Sequence, residues 1–153
     1  MLRIMRIVRG PVRVFVFYPL IILLGELLIH WGSLRTEPFF LFLMLWGYLQ
    51  TTLCSSYRAT HGGGGPGMDN PPTRLVTTGP YAYTRNPIHV GHMIFLLGVT
   101  LFLKSILGAI LTMVSIFYYH SRAKEDEEGL ARIFGDSYAN YKQTVKRWIP
   151  GLF

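Results

Sequence analysis

Apolar side chains fall into four blocks along the chain, and polar residues collect between and after them. From Val14 to Ile29 only Tyr18, Pro19, Gly25 and Glu26 interrupt the first block, which Arg3, Arg6, Arg9 and Arg13 precede. A cationic flank followed by such a run predicts a membrane helix over about 14–31. No small-residue cleavage site follows, since the next residues are His30, Trp31 and Gly32, so the helix is expected to stay uncleaved. A second block starts at Pro38 and predicts a span over 38–53, after which Tyr57 and Arg58 mark a return to water. The third and fourth blocks, 88–103 and 106–120, are parted only by Lys104 and Ser105 and read as a tight helical hairpin. Beyond His120 the pattern changes to apolar residues at Leu130, Ile133, Phe134, Tyr138, Tyr141 and Val145, mostly three or four apart. That is an amphipathic helix, with Gly135 as the point of a break, whose apolar stripe packs on the protein or lies among headgroups.

Between the second and third blocks the pattern disappears. Ala59 to Pro87 holds six glycines and five prolines, including Gly62 to Gly65 in a row and Pro71-Pro72, which predicts a long loop over 58–87 without regular helix. Loops of that length inside a small domain are uncommon and tend to be functional or disordered. The fold class expected is therefore an all-α membrane protein: one domain over 1–153, about four transmembrane helices, and an amphipathic helix in a tail over 121–153.

Composition agrees with that outline. Half of the 153 residues are apolar and only 15% are charged, against roughly a quarter in a soluble domain. At about 20 apolar residues per crossing of a ~30 Å hydrocarbon layer, four spans are the practical limit. The net charge of +7 would suggest nucleic acid in a soluble chain, whereas here the distribution matters more. Thirteen of the fifteen Lys and Arg fall in the N-terminal flank, the long loop and the tail, which places both termini on the cytoplasmic face and leaves Arg35 and Lys104 outside. Cys54 is the only cysteine, so no intrachain disulfide or thiolate cluster forms.

The chain lacks the dinucleotide, Walker and HExxH signatures. Polar chemistry concentrates instead from Arg74 to Gly91, around Thr77-Thr78-Gly79-Pro80-Tyr81 and Thr84-Arg85-Asn86-Pro87-Ile88-His89, and again in the tail at Arg122 to Glu128, Leu130, Phe134-Gly135, Tyr138, Tyr141 and Arg147-Trp148-Ile149-Pro150. With this set, over roughly 74–150, the chain resembles the isoprenylcysteine carboxyl methyltransferase and phospholipid methyltransferase family of integral membrane enzymes. The resemblance implies methyl transfer from S-adenosyl-L-methionine, without a Rossmann domain, to a lipophilic acceptor entering from the bilayer. The partners expected are a lipid or lipidated small molecule and the membrane, not nucleic acid. Carried over by position, the donor pocket takes Arg74, Leu75, Val76, Tyr81, Arg85, Asn86, Pro87, Ile88, His89, Asp126 and Glu127, with Arg122 directed at substrate and Glu127 or His89 as a possible base. The family often has His at the position of Asn86, Tyr at that of His89 and Glu at that of Asp126.

Each of these residues has an ordinary reading too. Arg85 serves equally as a membrane anchor snorkelling to phosphates, Pro87 as a helix-starting residue, and Glu125 to Glu128 as a solvated acidic run. His89 and His92 have a spacing a metal can use, yet no carboxylate or Cys completes the set, so no metal is expected. Glu26 and His30, four apart on the first helix, are expected to pair at the outer interface. The rival from another class is a small four-helix transporter or assembly factor, for which the loop and tail motifs have no use.

Overall fold

A computed structural model describes residues 11–64 and 71–148. Arg3, Arg6 and Arg9 of the cationic flank, Gly65 of the glycine tract, and Ile149 and Pro150 of the tail motif lie outside the described residues. Among the described residues all regular structure is helical, as expected. A π-helical turn, Arg13–Phe17, leads into α1, Tyr18–Ile29. A 3-10 turn, Pro38–Phe40, leads into α2, Leu41–Gly62. Helix α3 covers Pro87–Phe102 and α4 covers Ile106–Thr144.

Prolines open these elements where a missing N–H costs nothing: Pro38 begins the 3-10 turn before α2, and Pro87 begins α3. Two boundaries differ from the expectation. Helix α2 continues to Gly62, past the predicted loop start at 58, because the helix breakers begin only at Gly62. The fourth apolar block and the amphipathic tail are one helix instead of two, since the change from apolar to charged at His120 alters what surrounds the helix and not its backbone. The break does occur at Gly135, with φ 50° and ψ −124°.

The chain divides into two compact units, whose described parts are 11–49 with 91–117, and 50–64 and 71–90 with 118–148. In the first, helices approach through small residues: a Cβ on Gly47 would lie 2.5 Å from the Phe95 nitrogen and 2.6 Å from the Gly91 carbonyl oxygen. Phe15 packs edge-on against Tyr48, His92 and Phe95. Polar side chains inside this unit bond one another, Thr100 to Thr112 at 2.9 Å and the Ser105 hydroxyl to Glu26 Oε1 at 2.6 Å. The expected pairing of His30 with Glu26 is present at 3.1 Å, and Lys104 pairs with Glu37. Outward faces remain apolar, with Leu20, Leu24 and Leu28 of α1 and Ile110, Met113, Val114 and Phe117 of α4 exposed. Water does not tolerate so much contiguous apolar surface, whereas lipid does. Pro38–Gly62 is the helix among the described residues long and apolar enough to cross a membrane, with mean hydropathy 1.3, and Pro87–Phe102 is a shorter apolar helix. At ~1.5 Å per residue the latter is about 24 Å long.

Candidate functional site

The second unit is organised by its loop. The Gly62 carbonyl, at the end of α2, accepts the Thr73 and Arg74 backbone N–H groups and the Thr73 hydroxyl, which closes the loop's base. Further on, Tyr57 holds Thr78 through a 2.9 Å hydroxyl contact, and Gly79 adopts φ +59° with its α-carbon so close to the Tyr57 ring that a Cβ would lie 2.6 Å from Cζ. Both the dihedral and the approach require glycine. A 3-10 turn, Gly79–Ala82, then buries Tyr81.

From Tyr81 to Asn86 the loop is fastened to the C-terminal tail. The Tyr141 hydroxyl donates to the Tyr81 carbonyl at 2.6 Å. The Arg85 N–H donates to the Lys146 carbonyl at 3.0 Å, and the Arg147 carbonyl accepts from the Thr84 hydroxyl at 2.9 Å and from Asn86 Nδ2 at 3.4 Å. On the helix side, Gln50 donates to the Pro87 carbonyl at 3.1 Å. Most of the tail's apolar stripe packs on the protein: Tyr138, Tyr141 and Val145 form a core with Leu75, Leu130 and Phe134, whereas Ile133 is exposed.

Beside this core lies an ionic triad of Glu127, Arg85 and the partly exposed Arg147. Glu127 accepts two short bonds from Arg147, Nε to Oε1 at 2.7 Å and Nη2 to Oε2 at 2.9 Å, and Arg85 Nη2 lies 3.4 Å from Oε1. The Arg85 and Glu127 side chains are only 8% and 5% exposed. The membrane-anchor reading of Arg85 is therefore overturned, because a snorkelling guanidinium would be in water. Arg85 Nε and Nη1 are buried without a hydrogen-bond acceptor among the described residues. The bonds that Arg147 donates to Glu127 hold its pKa above the usual value, and burial pushes the Tyr138 hydroxyl up to about 12, with Glu127 adding and Arg85 and Arg147 opposing. Burial likewise raises Tyr81 and Tyr141. Near neutral pH the tyrosines are thus neutral, and two guanidinia face one carboxylate, a net positive site.

Of the expected residues, Tyr81, Arg85, Asn86, Pro87, Glu127 and the backbone around them are brought together. Val76 is buried, Leu75 packs on the tail core, and Arg74 is exposed. His89 lies against the Tyr119 ring at 5.0 Å, whereas His92 belongs to the other unit and packs on Phe15. Arg122 pairs with Asp126 at 3.4 Å and Glu125 at 3.1 Å along the uninterrupted helix. The solvated-run reading suits Glu125 and Glu128 but not Glu127. Arg147, Thr84 and Tyr141 stand among the motif residues of the sequence but are not assigned to the donor pocket there. Their spacing to it, 60 and 63 residues for the two loop contacts, carries no local periodic signal.

A family model described as phospholipid methyltransferase matches residues 39–137, which include the loop, the start of α3 and the acidic stretch. The chain belongs to that family. Protein-S-isoprenylcysteine O-methyltransferase of Schizosaccharomyces pombe is 36% identical over 77 residues, half of this chain and 33% of the yeast protein. The proteins of the same name from Mus musculus and Dictyostelium discoideum are 32% identical over 77 and 79 residues, 27% and 33% of their lengths. The match thus spans about a third of the curated relatives. Neither comparison supports the transporter reading, and Arg147 lies beyond the residues that the family model matches.

Proposed function

We propose that the chain is a multi-pass membrane methyltransferase that moves a methyl group from S-adenosylmethionine to a lipid-borne acceptor, with four spans and both termini on the cytoplasmic side. The observation that carries the donor assignment is Arg85, a buried guanidinium whose Nε and Nη1 directions meet no acceptor beyond the neutral Tyr138 hydroxyl, at the start of α3. A donor carrying an α-carboxylate fits those directions, and the half-buried Asp126 fits its ammonium or ribose hydroxyls. When bound, the donor supplies an electrophilic methyl on a sulfonium whose positive charge is lost during transfer. The chain's own work is alignment and exclusion of water. Tyr81 and the loop bonded to the tail supply a wall, and Glu127, bonded through both oxygens to Arg147 and lying 3.4 Å from Arg85, holds Arg85 in place.

The acceptor class we favour is a prenylcysteine-type carboxylate, since the curated relatives are named as isoprenylcysteine O-methyltransferases; a phospholipid amine, in keeping with the family's description as phospholipid methyltransferase, is the second reading. A carboxylate is ionised at neutral pH and needs only a cation to hold it, a role that suits Arg122; an amine must first lose a proton and would need a base such as His89 or Glu127. Incubation of protein in lipid nanodiscs with methyl-labelled S-adenosylmethionine and either an S-prenylated cysteine or phosphatidylethanolamine decides between them. Label in a base-labile ester of the first supports the reading. Label only in the amine lipid reassigns the acceptor, and no donor binding by calorimetry overturns the enzyme assignment.

A further inference from the structure

We propose that Arg147 is the positioning residue of the donor pocket: from outside the pocket it neutralises Glu127 and grips the 84–86 loop, so that Arg85 keeps free N–H groups for an anion. The inference rests on the donor reading of Arg85. Two features of Arg147 and one of its neighbour support it. The Arg147 side chain supplies the two short, charge-assisted bonds to Glu127. Its carbonyl receives Thr84 and Asn86, on either side of Arg85, while the neighbouring Lys146 carbonyl receives the Arg85 N–H. Helix acid and loop are therefore fixed by the same two tail residues.

The charge balance explains why a second arginine is needed. A buried carboxylate facing Arg85 alone would have a single 3.4 Å contact, too little to offset its desolvation. It would draw Arg85 into a closer, two-pronged pair and use up the N–H groups that are now free. Arg147 takes that bidentate place instead and leaves one net positive charge on the Arg85 side. Lysine cannot substitute, because a single ammonium cannot bond both carboxylate oxygens in a planar fork.

Arg147→Lys and Arg147→Ala, in the full chain in nanodiscs, test this by hydrogen exchange and by titration with S-adenosylmethionine. Both variants are expected to exchange the amides of 84–90 at least about tenfold faster, with peptide 108–116 unchanged, because local opening is read separately from global unfolding. The donor KM should rise roughly tenfold while kcat falls less than about threefold, the signature of a misplaced binding group. Arg147→Lys keeps the charge and so remains informative if the alanine variant fails to fold. Unchanged exchange at 84–90, or equal acceleration in 108–116, overturns the proposal, as does a fall in kcat at constant KM. A wild-type protein that does not bind the donor defeats the methyltransferase reading, and the exchange measurement still decides whether Arg147 holds the loop.

Discussion

Four consecutive carboxylates, Glu125 to Glu128, have different surroundings because each step along an α-helix turns the side chain by about 100°. Glu125 and Glu128 face water, Asp126 is half-buried beside Arg122, and Glu127 points into the unit's interior between two arginines. Their substitution should differ accordingly. Asp126→Ala is expected to weaken S-adenosylmethionine binding by about 1.5–3 kcal/mol, as for a hydrogen bond lost to a charged partner, and Glu125→Ala to leave it unchanged; equal affinities in calorimetry would return Asp126 to the helix surface. Arg122, 37% exposed, should behave differently again. Arg122→Lys is expected to leave donor affinity intact and to lower turnover on a prenylcysteine carboxylate roughly tenfold, about 1.4 kcal/mol in the transition state, whereas wild-type turnover would identify it as a membrane anchor. Tyr138 gives a pH prediction. Its hydroxyl ionises at about 12 in the fold and near 10 when unfolded, so the stability linked to it is complete below pH 10 and is lost as pH rises towards 12. Tyr138→Phe should flatten that loss, measured as the denaturant midpoint at pH 9 and pH 11; an unchanged slope would assign alkaline sensitivity elsewhere.

At the scale of elements, glycines decide both how closely helices approach and where one of them bends. Gly47 lets α2 contact the backbone of α3, and any side chain there meets backbone atoms that cannot rotate away. Gly47→Leu should therefore separate the helices and lower stability by about 1–3 kcal/mol, read as a fall in the thermal midpoint in detergent; an unchanged midpoint would mean the approach is not a packing constraint. Gly135 is the opposite case. A Cβ there meets nothing within 4 Å, so Gly135→Ala tests only its left-handed backbone, expected to cost about 1–3 kcal/mol or to straighten the tail helix and pull Tyr138 and Tyr141 from their core. The helix start at Asn86-Pro87, the break at Gly135 and the Glu26–His30 pair were all legible in the sequence. Each is set within one turn of helix, where spacing alone fixes which side chains meet.

For the whole molecule, the distribution of Lys and Arg makes a prediction about sidedness. With Cys54 replaced by Ser, a single cysteine at Thr36 should react with a membrane-impermeant thiol reagent from the non-cytoplasmic side, and one at Gly64 should not. The reverse pattern would invert the proposed topology, and labelling of both would mean that Pro38–Gly62 does not span. What the sequence determined by itself was the helical class, the apolar blocks, the glycine-rich loop between them, and the family, because all of these are carried by composition and by spacings of a few residues. What only the tertiary structure decided was the wiring of the site. Glu127 meets Arg147 across 20 residues, the loop meets the tail across 60 and more, and Ser105 reaches Glu26 across 79. No periodicity encodes those partners: several arginines and carboxylates were available, and which of them became buried together depended on how the loop closed onto the tail, where an unpaired charge would have been too costly to bury.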